Sequence, residues 1–288
     1  MLQVSINVLA HNEEQYLKPC LDSIEHELAQ HAKLNAKVRV IANGCQDQTY
    51  RIAKEYCSPR KYWYAYQLAL GDKANAWNYA LGKVADAESL SIFIDGDCTM
   101  VAGSLSGFLQ SASANPNAYV LAACPLTQGR DSPQTVRNTL NGEALSGNLY
   151  ALTPLFLQKI HQTQFRLPIG LIGDDSLLAW VASHNFHLTN GVSKGRLIGV
   201  PQAQFSYHRL SPRRLNDIYL YWRRLMRYSL RHLQQNAIRE HLTEHDDFAS
   251  LPAHIDELYS KVQLKHLRLR SRSSLFDLIN YLKIKKSA

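Results

Sequence analysis

A chain of 288 residues with 45% hydrophobic and 19% charged content is long and apolar enough to bury one large α/β core, which excludes a disordered polymer. Its apolar runs stop short of the roughly 18 uncharged residues a membrane-spanning helix needs. The formal net charge of +8 points to an anionic partner.

QVSINVLA, Gln3 to Ala10, reads as a strand, and EQYLKPCLDSIEHELAQ behind it carries apolar residues at helical spacing. AKVRVIA, Ala36 to Ala42, is a second strand, followed by a turn and a helix around TYRIAKEY. A third strand falls near YWYAYQLA, a helix covers KANAWNYALGKV, and SLSIFID is the fourth strand. Strand followed by helix, repeated, predicts a mostly parallel sheet with helices on both faces. Such sheets bind ligands beyond the carboxyl ends of their strands. Those ends are polar here: His11 and Asn12 after the first strand, Asn43 and Gly44 after the second, Asp95 and Asp97 after the fourth. No repeat or low-complexity linker interrupts the pattern.

The start, MLQVSINVLAHNEE, lacks the basic segment and cleavage site of a signal peptide, and Cys20, Cys45, Cys57, Cys98 and Cys124 lack metal-type spacing. Both features predict a cytoplasmic protein with reduced thiols. At SIFIDGDCTM, Ser91 to Met100, the strand runs into two aspartates separated by Gly96. A strand-ending turn suits this pattern, and so does a divalent cation with a phosphate ligand, because hard cations take carboxylate oxygens and the glycine leaves room for a polyanion.

VSINVLAHNEEQYLKPCLDSI, VRVIANGCQDQT, GDKANAWNYAL, SIFIDGDCTM and IGDDSLLAWVASHNF, in that order, resemble the family 2 glycosyltransferases of GT-A fold over roughly residues 3 to 208. The resemblance implies a Rossmann-like nucleotide-binding sheet. It also implies transfer of a sugar from a nucleoside diphosphate sugar, with UDP-sugar favoured, to a hydroxyl of a glycan or lipid-linked acceptor in surface polysaccharide or lipopolysaccharide synthesis. Negative charge grows on the departing diphosphate in such a reaction, and a bound cation stabilises it. By likeness Asp97 ligates that cation, Mn2+ or Mg2+, and Asp95 contacts the ribose or the metal's water shell.

His208, closing AQFSYH, is either a further metal ligand or one of 12 histidines that ends a strand; manganese accepts an imidazole more readily than magnesium does. The nucleotide is expected over the first two strand ends, at His11, Asn12 and Asn43. His11 stands where the family has a planar residue near the base, although a helix-entry residue would look the same. Asn43 replaces an Asp that accepts the uracil imide hydrogen; an amide both donates and accepts, so thymidine and guanosine stay open. Lys73 matches a basic residue aimed at the donor, or starts a solvated helix. Asp47 is expected to cap the helix after it.

The acceptor hydroxyl must lose a proton, and a positioned carboxylate is its ordinary receiver. Asp174 and Asp175 begin a helix with apolar spacing through Leu177, Leu178 and Val181. The resemblance makes Asp175 the base and puts Asp174 on the acceptor side, although the helix dipole alone also favours two acids there. Like charges side by side raise a pKa, as a proton acceptor requires. One base without a second nucleophile implies, by family likeness, inversion at the sugar carbon. NGEALSGNLYALTP, Asn141 to Pro154, matches the acceptor region; Gly147 lets backbone approach a ligand there, or makes a plain turn.

Residues 209–288 hold 16 Lys and Arg against 8 Asp and Glu, so the whole charge excess lies there and residues 1–208 are neutral. That shift divides the chain into a catalytic part, 1–208, and a basic helical extension, 209–288. Ser211 is the expected N-cap and Pro212 the first position of a helix with Leu215, Ile218, Trp222, Leu225 and Met226 on one face. Arg223, Arg227 and Arg231 fall on another face, to meet donor phosphates, an anionic acceptor or solvent. QLKHLRLRSRSSLFDLINYLKIKK reads as an interfacial helix resting on an anionic inner leaflet, or as a packed helical subdomain. A nucleic-acid binder would leave the acidic strand ends without purpose, so no nucleic acid partner is expected. A sugar nucleotidyltransferase needs a Gly-rich basic loop where LAHNEEQ stands. A relative that binds sugar nucleotides without catalysis stays open.

Overall fold

Strands β1 (Gln3–Ala10), β2 (Ala36–Asn43) and β4 (Ser89–Asp95) are almost wholly buried because helices cover both faces, which is why they read as near-continuous apolar runs. The computed structural model describes residues 3–84, 88–126, 133–207, 215–268, 271 and 273–287. Five further strands complete one sheet: β3 (Trp63–Leu68), β5 (Cys98–Met100), β6 (Val120–Pro125), β7 (Leu149–Leu152) and β8 (Leu197–Tyr207). The order is β3-β2-β1-β4-β7-β6-β8-β5. The β1 pairs with β2 and β4, the β2–β3 pair and the β6–β8 pair are parallel, while β7 runs antiparallel between β4 and β6.

Register sets the site. Ala10 pairs with Ala42 and Leu9 with Asp95, so β1, β2 and β4 end level along one edge. The inserted β7 brings Asn148 to the same edge, where its carbonyl accepts the Asp95 N–H at 3.0 Å.

Helices α1 (Leu17–Ala29), α2 (Thr49–Cys57) and α4 (Ser104–Ala114) cover one face, packing on Ile6, Val8, Val40 and Ile92. Buried Glu27 of α1 caps α4, accepting from the N–H groups of Gly103 at 2.9 Å and Leu105 at 2.8 Å. The other face carries α3 (Lys73–Tyr79), α6 (Pro154–Thr163) and α7 (Asp174–Ser183), with α5 (Pro133–Leu140) beside β6 and β8. Asp72 starts α3, accepting from Asn75 N at 2.7 Å, while its second oxygen takes the Gly170 N–H at 2.9 Å. The helix expected over KANAWNYALGKV leaves α geometry after Tyr79 and ends as a π-helical turn, Ala80–Val84. Beneath the site the rings of Trp77, Phe93 and Tyr150 stack in series at 6.0 and 5.4 Å. Such pairs contribute about 0.5–1.5 kcal/mol each beyond area burial.

The long α8 (Leu215–His245) adds Leu233, Ala237, Ile238 and Leu242 to the cluster that holds Leu177 and Val181 of α7. Phe248, Ile255, Leu258, Val262 and Ile284 join that cluster as well. The described part of the extension therefore shares the core of the α/β part. His208, Ser211 and Pro212 lie outside the described residues, as do the side chains of Leu215 and Ile218. Of the rest of the expected apolar face, Met226 is half-buried, whereas Trp222 is 48% and Leu225 40% exposed.

QLKHLRLRSRSSLFDLINYLKIKK is not one helix in its described residues. Leu264–His266 form a single 3-10 turn and α9 (Ser274–Ser287) follows. The bend is held by the fully buried Asp277 carboxylate, which accepts from Arg268 N, Nε and Nη2 at 3.1, 2.8 and 2.7 Å. Asp277, Asn280 and Ile284 face inward, whereas Leu275, Leu278 and Leu282 face solvent. No helix among the described residues is long and apolar enough to cross a membrane.

Candidate active site

A cleft of about 810 Å³ opens at the carboxyl edge of β1 and β4, and α7 and α8 contribute to its lining. His11, Asn12, Lys73, Asp95, Asp97, Gly147, Asp174 and Asp175 all line it. Asn43 does not: its amide points into the sheet and donates to the Ala10 carbonyl at 2.9 Å, so the expected contact of this side chain with the nucleotide base is replaced by a strand-to-strand link. The Asn43 carbonyl instead receives the His11 Nδ1–H at 2.6 Å, and Asn12 Nδ2 meets His11 Nε2 at 3.3 Å. A carbonyl can only accept, so these two bonds fix the imidazole as its Nδ1–H tautomer. Asp47 is not the N-cap expected of it, since Gln48 takes that position; from one residue earlier it accepts from Thr49 N at 3.0 Å and Glu14 N at 3.1 Å and ties the two loops together.

Lys73, on the first turn of α3, joins three elements. Its ammonium lies 2.7 Å from Asp95 Oδ1 and 3.6 Å from Asp174 Oδ2, and donates to the Gly147 carbonyl at 3.0 Å. Burial works against its charge, but Asp174 and Asp95 outweigh burial and raise its pKa well above the ordinary lysine value. Asp174 Oδ2 is buried without a hydrogen-bond donor, so this ion pair is its compensation. Gly147 eases the close approach: a Cβ there would stand 3.3 Å from Asp175 Cβ and 3.4 Å from the Lys73 ammonium, a tight fit.

The carboxylates at the sheet edge carry more negative charge than Lys73 offsets. Glu13 is pushed up to about 8 by burial and then by Asp97, Asp95 and Asp47. Asp95 is pushed up to about 7, by burial first and also by Asp97 and Asp174, against the opposing pull of Lys73. Asp97 forms no ion pair among the described residues and accepts only a weak Cys98 Sγ–H bond at 3.3 Å. A cation beside Asp97 and Asp95 would relieve this crowding. Among the described residues no group of three or more His, Cys, Asp or Glu could hold an ion alone. Such a donor set fits Mg2+ or Mn2+ taking one or two carboxylates together with substrate phosphates and water, the usual way Mg2+ binds beside a nucleotide.

Asp175 is held from the extension. Arg231 Nη2 of α8 donates to Asp175 Oδ1 at 2.8 Å and also bonds Ser176 Oγ. Ser176 N donates to the same Oδ1 at 2.7 Å, so Oδ1 is engaged twice, while Oδ2 accepts no hydrogen bond among the described residues. Burial and Asp174 raise the Asp175 carboxyl, while Arg231, Lys73 and the Ser176 N–H work against the rise. Gly173, with φ +97°, lies under the guanidinium; a Cβ would meet Arg231 Nε at 2.5 Å, so only glycine admits the contact. Gln234, one turn on, accepts from Ile172 N at 2.8 Å and donates to the Gly170 carbonyl at 3.0 Å, tying the loop before α7 to α8.

Glu13, Tyr16, Asn148, Tyr207, Arg224 and Tyr228 also line the cleft and were not sequence-level candidates. HNEE contained the signal for Glu13, an acid directly after a strand end. Contact between Arg231 and Asp175 spans 56 positions and has no local signal.

The sequence model for "Glycosyl transferase family 2" matches residues 5–167. No curated protein sequence matches the chain significantly. Among solved structures, Staphylococcus aureus TarS 1-349 in complex with UDP-GlcNAc is similar with a TM-score of 0.55 at 15% identity, over 99% of this chain and 91% of that one. The mannosyltransferase PcManGT from Pyrobaculum calidifontis, in complex with GDP-Man and Mn2+, gives 0.60 at 15% identity over 99% and 86%. GalNAc-T7 with UDP, GalNAc and Mn2+ gives 0.54 at 14% identity, over the whole of this chain and 58% of the other. These structural likenesses establish the fold, GT-A, and the family match extends over more than half of the 288 residues. The chain belongs to glycosyl transferase family 2 and is a glycosyltransferase.

Proposed function

We propose that the protein moves a sugar from a nucleoside diphosphate sugar, with a UDP-sugar favoured, to a hydroxyl of a glycan or lipid-linked acceptor, inverting the anomeric carbon. The observation that carries this reading is the joint presence, in one cleft, of an undercompensated carboxylate pair, Asp95 and Asp97, and a second carboxylate, Asp175, with one oxygen fixed and one free. Asp175 Oδ2 accepts the proton of the acceptor hydroxyl as its oxygen bonds to the anomeric carbon. The bond from that carbon to the diphosphate oxygen breaks, and its electron pair leaves with the diphosphate. Arg231 keeps Asp175 oriented and charged for this task. Lys73 holds Asp95 and Asp174 in place. His11 offers its ring face to the base, with Asn12 beside it, and Gly147 and Asp174 border the acceptor. Asp97 and Asp95 would hold Mn2+ or Mg2+, which when bound supplies positive charge to the leaving diphosphate.

The outer faces of α8 and α9 support a peripheral position on an anionic bilayer at the cytoplasmic side, where surface polysaccharide or lipopolysaccharide precursors would be met. Trp222, Leu225, Leu275, Leu278 and Leu282 are 40–59% exposed there, with Lys283, Lys285 and Lys286 beside the leucines of α9. A screen of UDP-glucose, UDP-GlcNAc and GDP-mannose, with and without Mn2+, tests the donor reading by thermal shift. Metal-dependent stabilisation by a UDP-sugar is expected; stabilisation by none of the three contradicts the reading.

A further inference from the structure

Among the described residues, three guanidiniums in the cleft have no carboxylate partner. Arg223, Arg224 and Arg227 line it from the first half of α8, and among the described residues none of them forms an ion pair. Aromatic rings are their neighbours instead: Arg223 stands 5.9 Å from the Tyr219 ring and Arg224 5.8 Å from that of Tyr228. The same face continues to Arg231, which is fixed on Asp175 and Ser176. Four-residue steps rise about 6 Å each along a helix, so Arg227 starts one turn from the base's own arginine and Arg223 two turns.

Arg231 ties this row of arginines to the residue read as the base. In an inverting displacement the entering oxygen and the departing diphosphate lie on opposite sides of the anomeric carbon. Asp175 marks the entering side, and Arg231 binds it directly. The diphosphate belongs with Asp97 and Asp95 at the sheet edge. Three cations within two turns repel one another unless an anion joins them, and planar guanidinium forks suit the paired oxygens of a phosphate ester. A dianionic group matches three such cations better than a single carboxylate does.

We propose that Arg223, Arg224 and Arg227 form a subsite for a phosphate ester carried by the acceptor near the hydroxyl that is glycosylated. The proposal rests on the reading of Asp175 as the base. Tyr228 and Leu220 flank the subsite and provide surface for the sugar or polyol that bears the phosphate.

Calorimetric titration of the full-length protein, preloaded with Mn2+ and UDP, against glucose 6-phosphate and against glucose at matched ionic strength tests it. The intact protein should bind glucose 6-phosphate at least tenfold more tightly than glucose. An Arg223→Gln/Arg227→Gln variant should lose that preference while UDP affinity stays within twofold. Equal binding of the two sugars by the intact protein overturns the subsite. So does a parallel loss of UDP affinity in the variant, which would assign the arginines to the donor. Sedimentation with phosphatidylglycerol vesicles distinguishes a lipid headgroup from an acceptor phosphate: vesicle binding lost while glucose 6-phosphate binding persists also overturns it. Failure of the underlying reading looks different, since full transfer activity in Asp175→Asn would remove the base whatever the sugar phosphate does.

Discussion

The acidic edge of the sheet and the arginine face of α8 meet in one cleft but are built in opposite ways. At the sheet edge, short side chains stand on strand ends whose register is fixed by paired backbone ladders, and Lys73 joins Asp95, Asp174 and Gly147 within 3.6 Å. On α8, long arginines project from a helix whose outer surface is exposed, and among the described residues Arg231 alone of the cleft arginines is anchored on a carboxylate. The first arrangement is rigid before a ligand arrives, as an electrostatic site for a developing charge must be. The second can adapt, as a surface for an extended acceptor must. The two are joined at Asp175, which stands on the rigid side and is aimed from the adaptable one.

The largest effect should come from breaking the rigid side. Asp175→Asn should lower turnover by about 10²–10⁴-fold, the usual contribution of a general base, with UDP affinity within twofold in equilibrium titration. Turnover near the unsubstituted level would remove Asp175 from the mechanism.

Cutting the link between the two sides should do less. Arg231→Gln should reduce kcat by about tenfold, in line with the loss of one charge-assisted hydrogen bond of about 1.5–3 kcal/mol. Its pH profile distinguishes positioning from packing. Arg231 opposes the rise in the Asp175 carboxyl that burial and Asp174 produce, with Lys73 of α3 left to oppose it in the variant. Without Arg231 the active carboxylate form is lost at a higher pH. The acid limb of kcat/KM should therefore move upward, and an unmoved limb would assign Arg231 a structural role only.

Loosening the extension should cost stability more than chemistry. Asp277→Asn should destabilise the fold by about 2 kcal/mol, below the ~3–5 expected for a fully buried pair because Arg268 is partly exposed. Differential scanning calorimetry should then show Tm falling by about 3 °C. Burial alone would raise this carboxyl, but Arg268 reverses the sign and holds it below the ordinary range. The contribution is fully present above the unfolded value of about 3.9 and disappears as pH falls through the depressed folded value. The variant should lack that acid-side loss. The smallest change is expected on the outer face, where Leu278→Glu with Leu282→Glu should weaken sedimentation with phosphatidylglycerol vesicles several-fold and leave soluble transfer intact; unchanged sedimentation would reject the bilayer position.

How legible each side was in the sequence follows from the same difference. The runs that became β1, β2 and β4 bury both faces, so their limits and the polar residues after them could be read directly. The four-residue β7 could not, because its identity as a strand depends on antiparallel partners 55–61 and about 30 positions away, Ile92 and Leu121 among them. Asn43, expected just past its strand, is the last residue of β2, and the Ala10 carbonyl lies within its reach and takes the amide. The four-residue step of Arg223, Arg227 and Arg231 was visible, but not what faced it. That depends on Gln234 binding the loop before α7 and on Gly173 admitting the guanidinium, contacts between segments far apart in the chain. The final segment misled as a single helix because the cations that suggested an interfacial face include Arg268, whose partner Asp277 bends the chain.

Crystals of the full-length protein grown with UDP and Mn2+, examined at the manganese absorption edge, test the central claim most directly. An anomalous peak within coordination distance of an Asp97 carboxylate oxygen and a UDP phosphate oxygen, lost in Asp97→Ala crystals grown the same way, is the result expected. UDP bound in the cleft with manganese elsewhere, or a peak that survives the substitution, would contradict it.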